Sequence, residues 1–359
     1  MDRRSVLRGA GLAGVLAAAA APAVHAQPAV RWRLASSFPR SLDTIHGAAV
    51  VFAQKVRQLS GGRFEVSVHA AGELMPAFGV VDGVQKGVVE AAHTAPYYFH
   101  EKDETFAIGG AIPFGLNSRQ MSAWTFEGNG RKLMREFYAL FDMTSFPCGN
   151  TGAQMGGWMR QEIRSTLDLQ GLKMRIGGFA GKVLERLGGV PRNLPAGEIY
   201  HALEKGTIDA AEWIGPYDDQ KLGFHKVAPY YYYPGWWEGG LQLDLYVNLR
   251  AYEALSPEYK ALVELAATYA HVETQAKYDA RNPAALKQLV AAGAKLRPFP
   301  PDVMTQAFRE SRALYDEISR RNENWRRVYS DYAKFRSEQN MWFRFTEATY
   351  DRFMQSQRM

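Results

Sequence analysis

Two short stretches hold the residues best suited to chemistry. Residues 202–216 read ALEKGTIDAAEWIGP, and Glu212 stands there among Ala, Trp and Ile. A bare carboxylate buried in such company is costly, so it calls for a cation or a strong donor. A solvated strand edge is the alternative. Residues 171–178, GLKMRIGG, offer the counterpart in Arg175, near the end of another short strand. A guanidinium can clasp a carboxylate through two parallel charge-assisted hydrogen bonds. Residues 144–159, TSFPCGNTGAQMGGWM, add Asn150 and Gln154 as conspicuous polar side chains. Gln154, Glu212 and a backbone carbonyl near Trp213 are hard oxygen donors, suited to Na⁺ or Ca²⁺ and not to Zn²⁺. A 2-oxo or 2-hydroxy acid offers two neighbouring oxygens to such a cation while its carboxylate meets Arg175. The chemistry this set supports is binding with lobe closure, with no bond made or broken.

Catalytic signatures are scarce by comparison. The chain has no HExxH, P-loop, GxSxG or paired-Cys motif. His93 falls in an apolar strand and reads as a satisfied core residue, whereas His100 reads as exposed. Asp218 and Asp219 are adjacent, which suggests a solvated turn. Cys148, the single cysteine, excludes an intramolecular disulfide and reads as a small core residue. An exported lyase or hydrolase with Glu212 as base is a rival reading, weakened by the missing acid/base partner. The aromatic run at 230–237 suits lobe packing; a sugar-stacking platform is the sharper alternative.

The elements that must position these residues follow from periodicity. Val30, Trp32 and Leu34 alternate as a strand, and Ile45, Ala48, Ala49, Phe52, Val56 and Leu59 fall at helical spacing. A strand at 64–68, a helix from Val80 and a strand at 88–94 complete a β-α-β-α-β unit, the mark of a parallel sheet with covering helices. The unit recurs, with strands at 172–176, 190–194 and 208–213 and helices at 179–187 and 198–205. Two copies predict two similar α/β lobes, with 144–159 crossing between them. Ligands of open parallel sheets bind beyond the carboxyl ends of the strands. Those ends carry Ser36, Ser37, Phe38 and residues 94–98 in the first copy, and Arg175, Glu212 and Trp213 in the second. The expected lobes are 27–150 with about 242–275, and 151–241 with about 276–327. Helical sequence follows Pro257. From Val328 a heptad seam runs through Tyr332, Phe335, Gln339, Trp342, Thr346, Thr349 and Phe353. This helix either packs back across its own lobes or serves as a dimer arm.

Composition sets the compartment and narrows the partners. The first 26 residues have a charged start (Arg3, Arg4), an apolar stretch and an Ala26 cleavage site, as an export signal does. The Arg pair resembles a twin-arginine signal, with an ordinary secretory signal as the alternative. Gly9, Gly11 and Gly14 match a dinucleotide fingerprint, but no strand precedes them and the segment is cleaved. No later stretch reaches ~18 consecutive apolar residues, so nothing else in the sequence spans a membrane. The net charge of +6 falls to +4 once the signal's three Arg and one Asp are removed. No basic cluster suits nucleic acid.

Three stretches together resemble a known family: LDLQGLKMRI at 167–176, ALEKGTIDAAEW at 202–213 and VVDGVQKGVVEAAHTAPYY at 80–98. They look like the solute receptor of a tripartite ATP-independent periplasmic (TRAP) transporter. Residues 241–260 resemble that family's hinge region. The resemblance covers essentially the whole mature chain and implies a two-lobed periplasmic-binding-protein fold with hinge strands and a long C-terminal helix. Glu212, Trp213, Gln154 and the aromatic C-terminus are most similar to the branch that binds 2-oxo acids such as pyruvate together with a metal ion. By that resemblance Arg175 pairs with the substrate carboxylate. Gln154, Glu212 and the Trp213 carbonyl hold the cation, with Na⁺ ahead of Ca²⁺. Asn150 and Tyr98 hydrogen-bond the ligand, with Tyr97 as the other candidate to face the cleft, while Phe38 and Glu238 line it. It also implies delivery to a membrane permease from the periplasm, and a homodimer formed through residues 328–359. Receptors for 2-hydroxy acids such as lactate, or for C4-dicarboxylates, are the alternatives within the family.

Overall fold

The computed structural model describes residues 29–357, so the export signal and its glycine fingerprint lie outside the described residues. The first β-α-β-α-β unit is present as β1 (Val30–Ser36), α1 (Ile45–Leu59), β2 (Phe64–His69), α2 (Val80–Gln85) and β3 (Ala91–Thr94). Strand β3 starts three residues later than periodicity predicts. Gly87, at φ 67°, turns the chain there and leaves Val88 exposed. Three helices follow: α3 (Thr105–Gly110), α4 (Ser118–Phe126) and α5 (Gly130–Ala139). Strand β4 (Met143–Asn150) is buried along its whole length and leads through 151–156 into β5 (Gly157–Met159).

The second unit comprises β6 (Lys173–Arg175), α6 (Ala180–Arg186), β7 (Val190–Arg192), α7 (Ala196–Glu204) and β8 (Ala210–Ala211). Helix α8 (Pro216–Leu222) and β9 (Tyr230–Tyr233) precede the return through 234–241 into β10 (Gln242–Asn248). The remainder is α9 (Leu249–Glu253), α10 (Pro257–Ala291), β11 (Lys295–Pro298), α11 (Pro301–Arg321), α12 (Glu323–Phe345) and α13 (Glu347–Ser356).

These elements form two sheets, ordered β2-β1-β3-β10-β4 and β11-β9-β5-β8-β6-β7. In the first, β1, β2 and β3 are parallel and β10 runs antiparallel to both β3 and β4. In the second, β7, β6 and β8 are parallel, and β5 runs antiparallel to β8 and β9. The chain therefore crosses between two lobes at 151–156, again at 234–241, and a third time along α10 between β10 and β11. The second-lobe strands are shorter than their periodicity suggests. Strand β8 is two residues long, but single backbone bonds extend its pairing, Asp209 N–H to the Lys173 carbonyl (2.7 Å) and Glu212 N–H to the Arg175 carbonyl (3.0 Å).

One face of the first sheet packs Trp32, Phe146, Cys148 and Leu245, together with Phe52 of α1, against α10. Cys148 is thus a core residue, and burial pushes its thiol well above the usual range. His93 is also core, its Nε2 set 2.8 Å from the Cys148 carbonyl. His100, expected to be exposed, is half-buried with Nδ1 3.0 Å from the Tyr97 carbonyl.

The C-terminal seam is divided. Helix α12 begins at Glu323, five residues before Val328, and ends where Thr346 leaves helical geometry (φ −99°, ψ −92°). Its first half packs back across both lobes. Trp325 stacks on Phe179 of the second lobe (5.3 Å between centroids), and Tyr332 meets Trp124 of the first edge-on (5.1 Å). Its second half and α13 leave Met341, Trp342, Phe345, Tyr350 and Phe353 exposed.

The largest departure from expectation is at Asp218 and Asp219. They do not form a solvated turn but are buried in the first turn of α8. Asp218 accepts from Thr44 Oγ1 of the first lobe (2.6 Å) and from Tyr278 Oη (2.7 Å). Asp219 accepts from Trp158 Nε1 (3.0 Å) and Tyr231 Oη (2.7 Å). These partners are far away in sequence, so no local pattern announces the burial. Beside them Asp43 of the first lobe pairs with Lys221 and with Arg281 (2.8 Å). Burial pushes the Asp219 carboxyl from its ordinary 3.8 up to about 7. The unfolded chain releases this proton near the ordinary value, while the folded chain keeps it. Its contribution is therefore whole below the ordinary value and is lost as pH rises through about 7. Urea unfolding followed from about pH 4 to about pH 8 is expected to show Asp219→Asn losing less stability with rising pH than the parent chain. Equal pH slopes would show that Asp219 does not hold its proton in the fold.

Candidate functional site

The register of the second sheet brings the two principal residues together. Arg175 ends β6, opposite Ala211 of β8 in the parallel pairing, and Glu212 follows at once. Both side chains are fully buried. Arg175 Nη1 donates to Glu212 Oε1 (2.5 Å) and to the Glu212 carbonyl (2.7 Å), and Nε donates to the Leu194 carbonyl (3.1 Å). Glu212 Oε1 also accepts the Gly177 N–H (2.5 Å). Burial pushes the Glu212 carboxyl up, against the pull of the Arg175 guanidinium and the Gly177 N–H. The guanidinium lies over the Trp213 ring, 4.9 Å from its centroid.

The first crossing segment delivers the third member. Met155 N–H donates to the Ile214 carbonyl (3.0 Å), tying 151–156 to the residues just beyond Trp213. At Gly157 (φ 90°) a Cβ would lie 2.6 Å from the Ala211 carbonyl oxygen and 2.9 Å from Glu212 Cα, so only glycine permits this approach. Gln154 immediately precedes the Met155 tie. Its Nε2 donates to Thr151 Oγ1 (2.9 Å) and Glu238 Oε2 (2.7 Å), which orients the amide. Asn150, the last residue of β4, accepts the Gly152 N–H at Oδ1 (2.9 Å).

The first lobe contributes Tyr97 and Tyr98 from the turn Pro96–Phe99 beyond β3. Tyr98 lies near Arg175, and burial pushes its hydroxyl up to about 12. Tyr97 pairs with Glu238, whose carboxyl burial holds well above the usual range. Both tyrosines therefore face the site, although periodicity offered them as alternatives. Phe38 is fully buried at the end of β1, edge-on to His93 (5.6 Å), with its neighbours in the first lobe. The aromatic run at 230–237 is occupied in packing. Tyr231 stacks on Trp158 (3.9 Å, 12°) and Trp236 on Phe114 (5.5 Å, 17°), so no open sugar platform exists among the described residues.

Five polar atoms of this set are buried with no hydrogen-bond partner. Glu212 Oε2 and Gln154 Oε1 are acceptors; Arg175 Nη2, Asn150 Nδ2 and Trp213 Nε1 are donors. Each such group costs about 1–3 kcal/mol, and more if charged. The acceptors are hard oxygens, fit for Na⁺ or Ca²⁺, and the donors suit an anion. No cluster of three or more His, Cys, Asp or Glu able to hold a metal exists among the described residues, which argues against a Zn²⁺-type centre.

A family model described as bacterial extracellular solute-binding protein, family 7 (DctP), matches residues 35–322. The chain belongs to that family. A curated relative from Nostoc sp., a monocarboxylate 2-oxoacid-binding periplasmic protein, is 45% identical over 329 residues, 92% of this chain and 90% of its own. A TRAP transporter solute-binding protein from Bordetella bronchiseptica is 47% identical, with a TM-score of 0.90 over 91% of this chain and 98% of its own. That structure is a mixed-occupancy dimer with calcium and picolinate in one active site and the other site apo. A periplasmic family member from Pseudoalteromonas atlantica, solved with sodium and pyruvate, is 35% identical, with a TM-score of 0.87 over 92% of this chain and 100% of its own. Among the described residues no helix is long and apolar enough to cross a membrane.

The burial of Arg175 changes what its removal should do. From the sequence, Arg175→Ala reads as a loss of binding with little loss of stability. In the structure it leaves Glu212 buried and unpaired, a loss of about 3–5 kcal/mol. Urea unfolding is expected to show this cost in Arg175→Met and to recover part of it in the double variant Arg175→Met/Glu212→Gln. Additive losses in the double variant would contradict the pairing.

Proposed function

We propose that this chain is the periplasmic receptor of a TRAP transporter for a small 2-oxo monocarboxylate, bound with Na⁺ or Ca²⁺ and passed to the membrane permease. The observation that carries the reading is that the unpartnered buried atoms of the site combine two acceptors with three donors. Glu212 Oε2 and Gln154 Oε1, with the Trp213 carbonyl, would hold the cation. Arg175 Nη2 would meet the substrate carboxylate, with Asn150 Nδ2 and Tyr98 on its other oxygens, and Glu238 lining the cleft. A 2-oxo acid satisfies both halves at once, because its carboxylate and adjacent oxygen chelate a cation while the carboxylate still accepts from Arg175. The pyruvate and picolinate of the two solved relatives share this arrangement, each placing a second donor atom beside a carboxylate. Phe38 would act from the first lobe as an apolar wall behind His93. The reading requires no bond-making step: the cation supplies charge and fixed geometry, and the protein residues bind, orient and enclose.

Isothermal titration of metal-stripped and metal-replete protein with pyruvate, longer 2-oxo acids, lactate and succinate tests this directly, with product assayed in the same samples. Cation-dependent binding of a 2-oxo acid without product is expected. Succinate binding that ignores the cation would move the chain to another branch of the family, and turnover would make it an enzyme.

Dimerisation through the C-terminus is the second part of the proposal, supported by the exposed Met341, Trp342, Phe345, Tyr350 and Phe353 and by the dimeric relative. A cut before Val328 would also remove core side chains. A chain ending at Asn340 keeps Trp325, Val328 and Tyr332 and is expected to sediment as a folded monomer. A dimer of that shortened chain would rule out the arm.

A further inference from the structure

Tyr97 is a first-lobe side chain set close to Arg175, Glu212 and Glu238 of the site. Its ring lies on the backbone of Gly177 and Gly178, just beyond Arg175. A Cβ at Gly178 would stand 2.8 Å from Tyr97 Cγ, and one at Gly177 would stand 3.1 Å from Cε2 and 3.2 Å from the hydroxyl. Real Cβ atoms do not approach a ring as closely as the one at Gly178 would, and the one at Gly177 would be crowded, so the two glycines make a shelf that admits the ring. Gly177 also gives its N–H to Glu212 Oε1 (2.5 Å). At its other end Tyr97 pairs with the Glu238 carboxyl, which in turn accepts from Gln154 Nε2 (2.7 Å). That bond sets which end of the Gln154 amide faces Glu238 and leaves Oε1 pointing away without a partner.

We propose that Tyr97 is a positioning residue that couples the cation site to lobe closure. The ring reaches the Gly177–Gly178 shelf only when the lobes are together. Its hydroxyl then fixes Glu238, Glu238 holds the Gln154 amide, and Gln154 presents Oε1 to the cation. In return, a cation on Glu212 and Gln154 holds the far side of this chain of contacts in the arrangement that Tyr97 meets. Closure and cation binding then favour one another reciprocally, as any coupling of two binding events must. The inference rests on the reading that the cation lies between Glu212 and Gln154. It adds a first-lobe residue that contacts neither cation nor substrate and yet sets their linkage.

The test compares the full-length parent chain with Tyr97→Phe, which keeps the ring on its shelf and removes only the hydroxyl. Pyruvate affinity is measured with calcium-stripped and calcium-saturated protein, and calcium affinity without pyruvate. Tyr97→Phe is expected to lower the ratio of the two pyruvate affinities by about fivefold, the size of one net hydrogen bond, with the circular dichroism spectrum of the folded parent kept. Tyr97→Ala, which also empties the shelf, should lower pyruvate affinity further and give a more open solution-scattering profile with ligand present. A cation-dependent parent with an identical ratio in Tyr97→Phe overturns the coupling and leaves the receptor reading intact. A parent without cation dependence overturns both.

Discussion

The site depends on one buried ion pair that is deliberately incomplete. Arg175 gives Nη1 and Nε to the fold, and Glu212 gives Oε1, so each is immobilised by its partner and by backbone. Removing two charges from water costs several kcal/mol per ion, and the attraction between them compensates only when the geometry is tight and remaining valences are filled. Here the remaining valences, Nη2 and Oε2, are not filled by protein. The pair is therefore strong enough to stand inside the molecule and unsatisfied enough to reward a cation and an anion arriving together. Two opposite charges added to such a site change its net charge little, which suits a ligand taken up as a salt.

That economy dictates the architecture around it. Strands β6 and β8 need only a few residues, since their task is to deliver Arg175 and Glu212 side by side at the strand ends. The crossing segments carry Gln154 and Glu238, and Asn150 stands at the end of β4 just before the first of them. Residues on segments joining two lobes are the ones whose surroundings change most when the lobes move, so they are well placed to report closure.

Much of this was legible in the sequence because its physical causes are local. Alternation and helical spacing disclose the two β-α-β-α-β units, and an Arg or Glu at the end of a short apolar strand declares its cost wherever it is placed. The exact strand lengths were less legible, since β8 is limited by β5 and β6, which come from elsewhere in the chain. Asp218 and Asp219 were misread for the same reason: Thr44, Trp158, Tyr231 and Tyr278 bury them, and none is a sequence neighbour. Tyr97 and Tyr98 could not be separated by pattern, because a tight turn of 3₁₀ type can aim two consecutive side chains at different parts of one site. The terminal seam was read as one helix, whereas its heptad spacing continues across a break that only the backbone at Thr346 reveals.

The packing of α12 has a consequence for how the molecule moves. With Trp325 stacked on the second lobe and Tyr332 wedged against the first, this helix fastens the two bodies along one edge with aromatic contacts that do not stretch. An opening motion that keeps those contacts must use that edge as its pivot, so the mouth widens away from α12. Other ties between the lobes are short and polar, Thr44 to Asp218 and Asp43 to Lys221 and Arg281. Water can replace such bonds at little cost once it enters, whereas it cannot replace a stacked indole.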